Sequence, residues 1–251
     1  MSAGPPRIFV GTLACGEAEL GECTAAIAAQ EGVVVEHLVI SDLPELEAHN
    51  RLWSAWRERR GRHDLFVKVD ADTILARGTA LAEVAALFAD PDVTGAQVLL
   101  HDYFTDTLIA GLNAFSPVVE FGEAGNRLFP DRVDTGHRVV LKGEATRHLA
   151  PIGWHCRAPH PRQAFHFGLH RQLKKQRDVI ARVARAWLAA PDEGRGWALA
   201  GASAAGWWLR GHFDYADKRF TRSFERLAAD DAARRARVED FARKAIAMES
   251  P

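Results

Sequence analysis

The chain has 251 residues, of which 47% are hydrophobic and 26% charged, and this length suits one large domain or one domain with a helical appendage. Its formal net charge of -1 gives no overall field that would select nucleic acid or an anionic membrane as a partner. No window reaches the ~18 consecutive apolar residues that a membrane-spanning helix requires.

Five elements alternate between strand and helix over the first seventy residues. Short apolar runs predict strands at 8–12, 33–41 and 65–69, and apolar residues at helical spacing predict helices at about 17–30 and 45–59. This order predicts a parallel sheet with right-handed crossovers. Neither a GxGxxG loop nor a GxxxxGKS/T loop follows the first strand, so a nucleotide held here would need another device, such as a metal ion.

The later elements are more varied. We predict a helix, a strand, an irregular aromatic segment, two further strands and a helix, at about 79–88, 93–100, 101–133, 138–141, 150–156 and 162–177. After Cys156 only helical spacing is evident, ending in a charged helix at about 230–248. We therefore expect one domain at 1–177 and a C-terminal helical extension at 178–251.

Three cysteines are spread over the chain without a CxxC pair: Cys15, Cys23 and Cys156. An odd and sparse set fits free thiols in a reducing compartment. Residues 1–7 lack the basic segment and apolar core of a signal peptide. We therefore expect a cytoplasmic protein, with peripheral contact at the inner membrane face left open.

An apolar run at 65–69 ends abruptly in two carboxylates, Asp70 and Asp72. In open α/β sheets, ligands bind at the carboxyl ends of the strands. Two carboxylates at such a place are costly unless positive charge meets them, and a divalent cation that itself holds a phosphate is the natural partner. The alternative is a strand-to-helix connection in which Asp72 is the N-cap of a helix.

The first hundred residues resemble a family-2-like glycosyltransferase of the GT-A fold. The matching features are the strand-turn-helix opening at 8–30, the strand that ends in Ser41-Asp42, the helical Ala48-His49-Asn50-Arg51, and Val69-Asp70-Ala71-Asp72-Thr73-Ile74-Leu75, which looks like that family's DxD signature. The resemblance implies an α/β, GT-A (nucleotide-diphospho-sugar transferase) domain whose mostly parallel central sheet is flanked by helices.

The resemblance also implies roles for particular residues. Thr12 and Asp42 would border the base of a nucleotide-sugar, and Asp70 would face the ribose or the metal. Asp72 would coordinate Mn²⁺ or Mg²⁺ that bridges the diphosphate, because a divalent ion neutralises the charge that develops on this leaving group. The opening turn departs from the family's pattern, since Leu13-Ala14 stands where a polar turn is common.

GT-A enzymes often use a later histidine as an additional metal ligand. His155 ends a predicted strand and is our candidate, with a packed core histidine as the alternative. Arg162 would grip a diphosphate bidentately, unless it belongs to a solvated basic face. It belongs to the densest positive patch of the chain, a candidate site for pyrophosphate or an acidic lipid-linked acceptor: Arg157, Arg162, His166, His170, Arg171, Lys174 and Lys175.

An inverting transferase needs a carboxylate base near the acceptor hydroxyl. Asp131 and Asp134 lie in the appropriate section of the chain, although either can equally be a turn or surface carboxylate. A retaining enzyme requires no such base. For the C-terminal helices, the tryptophans Trp197, Trp207 and Trp208 leave open buried packing, a homodimer contact or a membrane surface.

The sequence therefore predicts a metal-dependent transfer of a sugar from a nucleotide-sugar, with UDP- or GDP-sugars favoured, to a hydroxyl of a glycan, lipid-linked or similar acceptor. Nucleic acid is not an expected partner. One alternative is a nucleotidyltransferase that makes nucleotide-sugars, although the first turn, 13–16, lacks the basic residue such enzymes show. The other is a non-catalytic module that binds glycan or protein.

Overall fold

The computed structural model describes residues 4–125, 131, 134–205, 215 and 217–248. Contacts divide the chain into two compact units. The first consists of Met1–Tyr103 and Thr107–Arg157, and the second of Phe104–Asp106 and Ala158–Pro251. The helix that follows Pro161 thus belongs to the second unit, and a functional boundary at residue 177 stays a prediction.

The first unit is an α/β unit built on an eight-stranded mixed sheet. The described strands, in chain order, are β1 (Arg7–Ala14), β2 (Val34–Ser41), β3 (Leu65–Lys68), β4 (Thr73–Leu75), β5 (Val93–Asp102), β6 (Thr107–Phe115), β7 (Glu120–Phe121), β8 (Asp134–Thr135), β9 (Val139–Leu141) and β10 (Gly153–His155). Its helices are α1 (Leu20–Ala28), α2 (Glu45–Arg59) and α3 (Ala80–Ala86), with 3₁₀ turns at Arg60–Arg62 and Gly143–Leu149.

The sheet runs β2-β1-β3-β6-β5-β10-β4, and β9 pairs with β5. Strands β2, β1 and β3 are parallel, as are β5 with β10 and β5 with β9, whereas the other described pairs of this sheet are antiparallel. The α/β class with a mostly parallel central sheet flanked by helices is confirmed. The carboxyl ends of the three parallel strands lie at one edge, which sets the place of the candidate site.

Both faces of the sheet are covered, which explains the nearly continuous apolar runs of β1 and β3. Ile8 and Leu65 pack into a core on one face, which also contains residues of α1 and α3. Phe9 and Phe66 point to the other face, where Trp56 of α2 stacks on both rings at centroid distances of 6.1 and 5.3 Å. Such aromatic packing buries large apolar areas and fixes β1 and β3 beneath α2.

The prediction of an irregular segment at 101–133 was wrong for residues 107–115. These residues form β6, which pairs antiparallel with β5 and fills the gap between β3 and β5. Asn113 interrupts the apolar pattern of β6, and its side chain accepts a hydrogen bond from Gln97 of β5 at 3.2 Å. Cross-strand pairing therefore stabilises a strand that the local pattern does not reveal.

The second unit is helical in its described residues. Its helices are α4 (Pro161–Leu173), α5 (Arg177–Ala189), α6 (Glu193–Ala204), α7 (Lys218–Ala228) and α8 (Asp231–Ala247). The predicted helix at 162–177 ends earlier, and Lys175 has a φ of 57° between α4 and α5. Helices α4 and α6 pack with their backbones in contact at Gly168. A Cβ added at this residue would lie only 1.7 Å from the Ala198 carbonyl oxygen.

Trp197 of α6 is 4% exposed, so it is packed inside this unit, as one of the alternatives predicted. Trp207 and Trp208 lie outside the described residues. Among the helices that the structure describes, none has the length and apolar character needed to cross a bilayer.

Candidate metal centre

The two motif carboxylates lie on the short connection between β3 and β4. The Val69 amide donates to the Gly11 carbonyl at 3.1 Å, which ties the connection to β1. The Cys156 amide donates to the Asp72 carbonyl at 2.8 Å, which ties it to the end of β10. Asp72 leads into β4 rather than into a helix, and the next helix begins at Ala80. The helix-cap interpretation of Asp72 is therefore wrong.

Asp72, His155 and Cys156 converge on one point. The Asp72 Oδ2 atom lies 3.6 Å from His155 Nε2 and 3.0 Å from Cys156 Sγ. One ligand atom from each residue fits within 4.8 Å of the others. The convergence follows from the antiparallel pairing of β4 with β10, in which His155 lies opposite Thr73. The structure thus brings together two of the predicted metal ligands, Asp72 and His155.

A second carboxylate contacts the ring nitrogen of His155 that faces away from Asp72. The Oδ1 atom of Asp102 lies 2.7 Å from His155 Nδ1, and Asp102 is fully buried. The parallel register of β5 and β10 places these two residues side by side. A carboxylate on one ring nitrogen fixes the tautomer and orientation of a metal-binding histidine. A neutral His155 whose Nδ1–H donates to Asp102 would present its Nε2 lone pair toward Asp72.

This donor set fits a divalent cation. A carboxylate and an imidazole suit Mn²⁺, and imidazole is a poorer partner for Mg²⁺, which prefers oxygen. The Asp102 carboxylate supplies the outer partner that metal-binding histidines usually have. Asp72 and His155 would hold the ion.

Negative charge and burial together raise the pKa values of the acidic side chains around Asp72. Burial, followed by the charge of Asp72, raises the pKa of the Cys156 thiol well above its ordinary value. Burial, and then the charges of Asp72 and Asp70, also raises the pKa of Cys23 to about 12. The pKa of Glu17 is raised chiefly by burial, with smaller contributions from Asp72 and Asp70. A cation at this place would relieve the accumulated repulsion.

Asp70 has a different partner. Its Oδ1 atom lies 2.5 Å from the ammonium nitrogen of Lys68, whose side chain is 9% exposed, whereas the Asp70 side chain is 46% exposed. Burial works to raise the pKa of Asp70, but the Lys68 charge outweighs it and holds this pKa below its ordinary value. Burial likewise opposes the charge on Lys68, but Asp70, Asp131 and Glu45 raise the pKa of Lys68 above its ordinary value.

The predicted base-contact residues lie near the same edge of the sheet. Thr12 is fully buried, and its hydroxyl lies 2.9 Å from Nε2 of His37. Asp42 is exposed, follows the end of β2 with a φ of 60°, and its amide donates to the Ala14 carbonyl at 3.2 Å. Of these two, only Asp42 offers its side chain to solvent.

The two candidate bases differ in what the structure describes. Asp131 is exposed and interacts electrostatically with Lys68 and with His49 of α2. Asp134 lies in β8, opposite Phe121 of β7. The structure therefore brings Asp131 into the electrostatic neighbourhood of the acidic motif.

Arg162 lies in α4 of the second unit. Its guanidinium donates to the Tyr215 carbonyl at 2.7 Å and to the Thr221 hydroxyl at 3.0 Å, and it lies over the Phe220 ring at 5.3 Å. These contacts hold Arg162 within its own unit, and its predicted role toward a diphosphate stays a prediction.

Sequence reasoning missed three residues of the site: Lys68, Asp102 and Cys156. Lys68 carries a signal, because it is a lone charge inside the buried run 65–69, two residues before Asp70. Asp102 is the last residue of β5, two residues beyond the strand predicted at 93–100, so it fell in the segment predicted to be irregular. Cys156 follows His155 directly, but the sequence has no CxxC pair to mark it as a ligand.

No protein-family model matches the chain, and no curated protein matches it. Among solved structures, it is similar to the mannosyltransferase PcManGT from Pyrobaculum calidifontis, in complex with GDP-Man and Mn²⁺, at 14% identity and a TM-score of 0.41, over 99% of this chain and 89% of that one.

It is also similar to a glycosyltransferase involved in the glycosylation of the major capsid of PBCV-1, at 12% identity and a TM-score of 0.31. That match covers 44% of this chain and 60% of the other. Both of these matched proteins are glycosyltransferases.

Proposed function

We propose that the protein is a metal-dependent glycosyltransferase that moves a sugar from a nucleotide-sugar to a hydroxyl of a glycan, lipid-linked or similar acceptor. The observation that carries this proposal is the convergence of Asp72 and His155 at the carboxyl edge of the sheet, with the buried carboxylate of Asp102 on the far side of the imidazole. A strand end with such ligands is where an α/β sheet binds a phosphorylated substrate.

Asp72 and His155 divide the work of holding the ion. Asp72 brings a negative ligand, and His155 brings a neutral ligand whose orientation Asp102 fixes. When bound, Mn²⁺ or Mg²⁺ supplies positive charge to the diphosphate leaving group. Mn²⁺ is the better fit, because one ligand is an imidazole.

Asp70, oriented by Lys68, would bind the nucleotide part of the donor. Lys68 keeps the Asp70 carboxylate ionised and oriented, and nearly half of the Asp70 side chain remains exposed. An ionised carboxylate at this position can accept hydrogen bonds from ribose hydroxyls. Asp42, exposed at the end of β2, would border the base, whereas the buried Thr12 contacts His37 of β2.

For an inverting reaction, Asp131 is the preferred base. It is exposed, as a group that must reach an acceptor hydroxyl has to be, and it interacts with Lys68 beside Asp70. Asp134 is the second candidate. Replacement of Asp131 by Asn would lower the rate of transfer and leave nucleotide binding intact, whereas the same change at Asp134 would have the smaller effect.

The test is a thermal-shift panel of nucleoside diphosphates and nucleotide-sugars, with and without Mn²⁺, on the full chain and on Asp72→Asn. A ligand that binds only the native state raises the unfolding midpoint, so a shift that needs both Mn²⁺ and Asp72 is expected. Asp92→Asn is the matched control, since Asp92 is an exposed carboxylate in the turn before β5. An equal shift without Mn²⁺, or with Asp72→Asn, would contradict the proposal.

The released product separates the competing functions. A glycosyltransferase incubated with its donor and Mn²⁺ releases a nucleoside diphosphate. A nucleotidyltransferase working from a nucleoside triphosphate and a sugar phosphate releases pyrophosphate instead, and a binding module releases neither. Detection of pyrophosphate alone, or of binding with no turnover on any donor and acceptor pair, would exclude the proposed activity.

A further inference from the structure

The thiol beside the two metal ligands has a defined place in the site. Cys156 Sγ lies 3.0 Å from Asp72 Oδ2 and 3.9 Å from His155 Nε2. The Cys156 amide is bonded to the Asp72 carbonyl, and its backbone φ of 53° lies in the left-handed region that non-glycine residues rarely adopt. The backbone therefore holds the sulfur against the Asp72 carboxylate.

One chemistry that this geometry suggests is nucleophilic. Cys156, His155 and Asp102 are in contact in the order of a thiol, a base and an orienting carboxylate. Two observations argue against it. Cys156 is 1% exposed, so a substrate cannot reach the sulfur, and the neighbouring Asp72 carboxylate would repel a thiolate that lacks a cation.

Neither the burial of Cys156 nor its closeness to the Asp72 carboxylate argues against a role as a metal ligand. The three donor atoms face each other within 4.8 Å, as ligands around one ion do, and an inner ligand needs no exposure to solvent. Positive charge at their centre would stabilise a thiolate next to a carboxylate. His155 already has the outer carboxylate of a metal-binding histidine.

We propose that Cys156 is a third protein ligand of the ion that Asp72 and His155 hold, so that the site has an oxygen, a nitrogen and a sulfur donor. The sulfur forms a bond to the metal, and its proton leaves to solvent. Such a set favours thiophilic ions, with Co²⁺ and Zn²⁺ above Mn²⁺, and Mn²⁺ above Mg²⁺. The role of this ion in sugar transfer rests on the proposed function, but its ligand set can be tested without it.

The experiment is a Co²⁺ titration of the full chain after removal of metal with a chelator and desalting. Binding through a thiolate gives a sulfur-to-cobalt charge-transfer band in the near ultraviolet, which carboxylate and imidazole ligands alone do not give. We expect this band in the unmodified chain and in Cys23→Ala, which removes the other buried thiol near the motif. We expect no such band in Cys156→Ser.

Affinity gives a second readout. Cys156→Ser should bind Co²⁺ at least about tenfold more weakly, since the loss of even an outer partner of a ligand costs that much. The unmodified chain should also release more protons per bound ion in weak buffer than the variant. The band measurements on the unmodified chain and on Cys23→Ala keep the test valid if Cys156→Ser does not fold.

The outcomes separate the two proposals. Bound Co²⁺ without the band, or a band that persists in Cys156→Ser, would overturn the sulfur ligand. If Asp72→Asn nevertheless abolished metal-dependent nucleotide binding, the proposed function would stand without it. Failure of the unmodified chain to bind Co²⁺ or Mn²⁺ at all would overturn both.

Discussion

Asp70 and Asp72 are separated by one residue, yet the fold gives them opposite surroundings. The carboxylate of Asp70 is paired with a buried ammonium at 2.5 Å. That of Asp72 lies beside an imidazole and a thiol, the groups that we propose as ligands of a cation. Under this proposal the two carboxylates of the motif have separate tasks.

The physical origin of the difference lies in the strand pairing. Lys68 is the last residue of β3, and its side chain stays near Asp70 along the same chain segment. Asp72 enters β4, which pairs with β10, so its neighbours come from residues more than eighty positions later. Asp70 is balanced by a local charge, and Asp72 by groups that the tertiary fold delivers.

Replacement of Asp72 should have the largest effect. Asp72→Asn removes the negative ligand and should lower the rate of transfer by about 10²–10³-fold, comparable to the loss of a strong transition-state stabiliser. The measurement is donor turnover at saturating Mn²⁺, with Asp92→Asn as the charge-matched control. If both variants kept the activity of the unmodified chain, Asp72 would have no role in metal binding.

Replacement of Asp102 should come next. Asp102→Asn leaves His155 in place but weakens the control of its tautomer, and loss of such an outer partner typically costs about 10–100-fold in metal affinity. Isothermal titration with Mn²⁺ measures the change, and circular dichroism checks that β5 is intact. An unaltered dissociation constant would show that Asp102 does not support a metal-bound His155.

Replacement of Lys68 tests the other half of the comparison. Lys68→Met keeps the apolar stem and removes the charge, so Asp70 loses its partner, and we expect about tenfold weaker donor binding, equivalent to about 1.4 kcal/mol. Metal affinity in the absence of nucleotide should change little. A variant that lost metal binding as completely as Asp72→Asn would abolish the distinction between the two carboxylates.

A structural ion pair in the same unit gives the smallest effect and serves as a reference. Glu83 pairs with Arg77, which also donates to the carbonyls of Leu149 and Pro151 at 3.0 and 2.9 Å. The hydrogen bond from Arg77 lowers the pKa of Glu83 to about 2. A lowered carboxylate pKa stabilises the fold above the unfolded pKa of about 4.3, and this stability is lost as the pH falls toward 2.

Glu83→Gln should therefore lower the free energy of unfolding at pH 7 by about 1 kcal/mol, because solvent screens a partly exposed pair. The difference between variant and parent should shrink between about pH 4 and 2. Urea unfolding at several pH values measures it. A difference that stayed constant with pH would show that the Glu83–Arg77 pair does not stabilise the fold through its charge. This pair could then not serve as a reference for the Lys68–Asp70 pair.

The sequence predicted those features that depend on neighbouring residues. The first three strands and two helices follow from contiguous apolar patterns, and the acidic motif follows one of those strands. Strand β6 was missed, because its stability comes from pairing with β3 and β5 rather than from its own pattern. Helix α7 has a strong amphipathic pattern, with Phe220 and Leu227 buried, and was overlooked among charged residues.

The site was predictable only in part, for the same reason. His155 was proposed as a companion of Asp72 because it ended a strand, and the structure brings the two side chains within 3.6 Å. Asp102 and Cys156 become visible only when β5, β10 and β4 are placed side by side. A pairing between residues 53 or 84 positions apart leaves no local trace in one sequence.

We propose that Asp72 and His155 hold a divalent ion that binds the donor's diphosphate. Electron spin-echo spectroscopy of Mn²⁺ bound to the full chain can detect an imidazole nitrogen or a diphosphate phosphorus that is coupled to the metal. We predict both couplings with a nucleoside diphosphate present, loss of the nitrogen coupling in His155→Ala, and loss of binding in Asp72→Asn. Bound Mn²⁺ with neither coupling in the unmodified chain would contradict this assignment of the ligands.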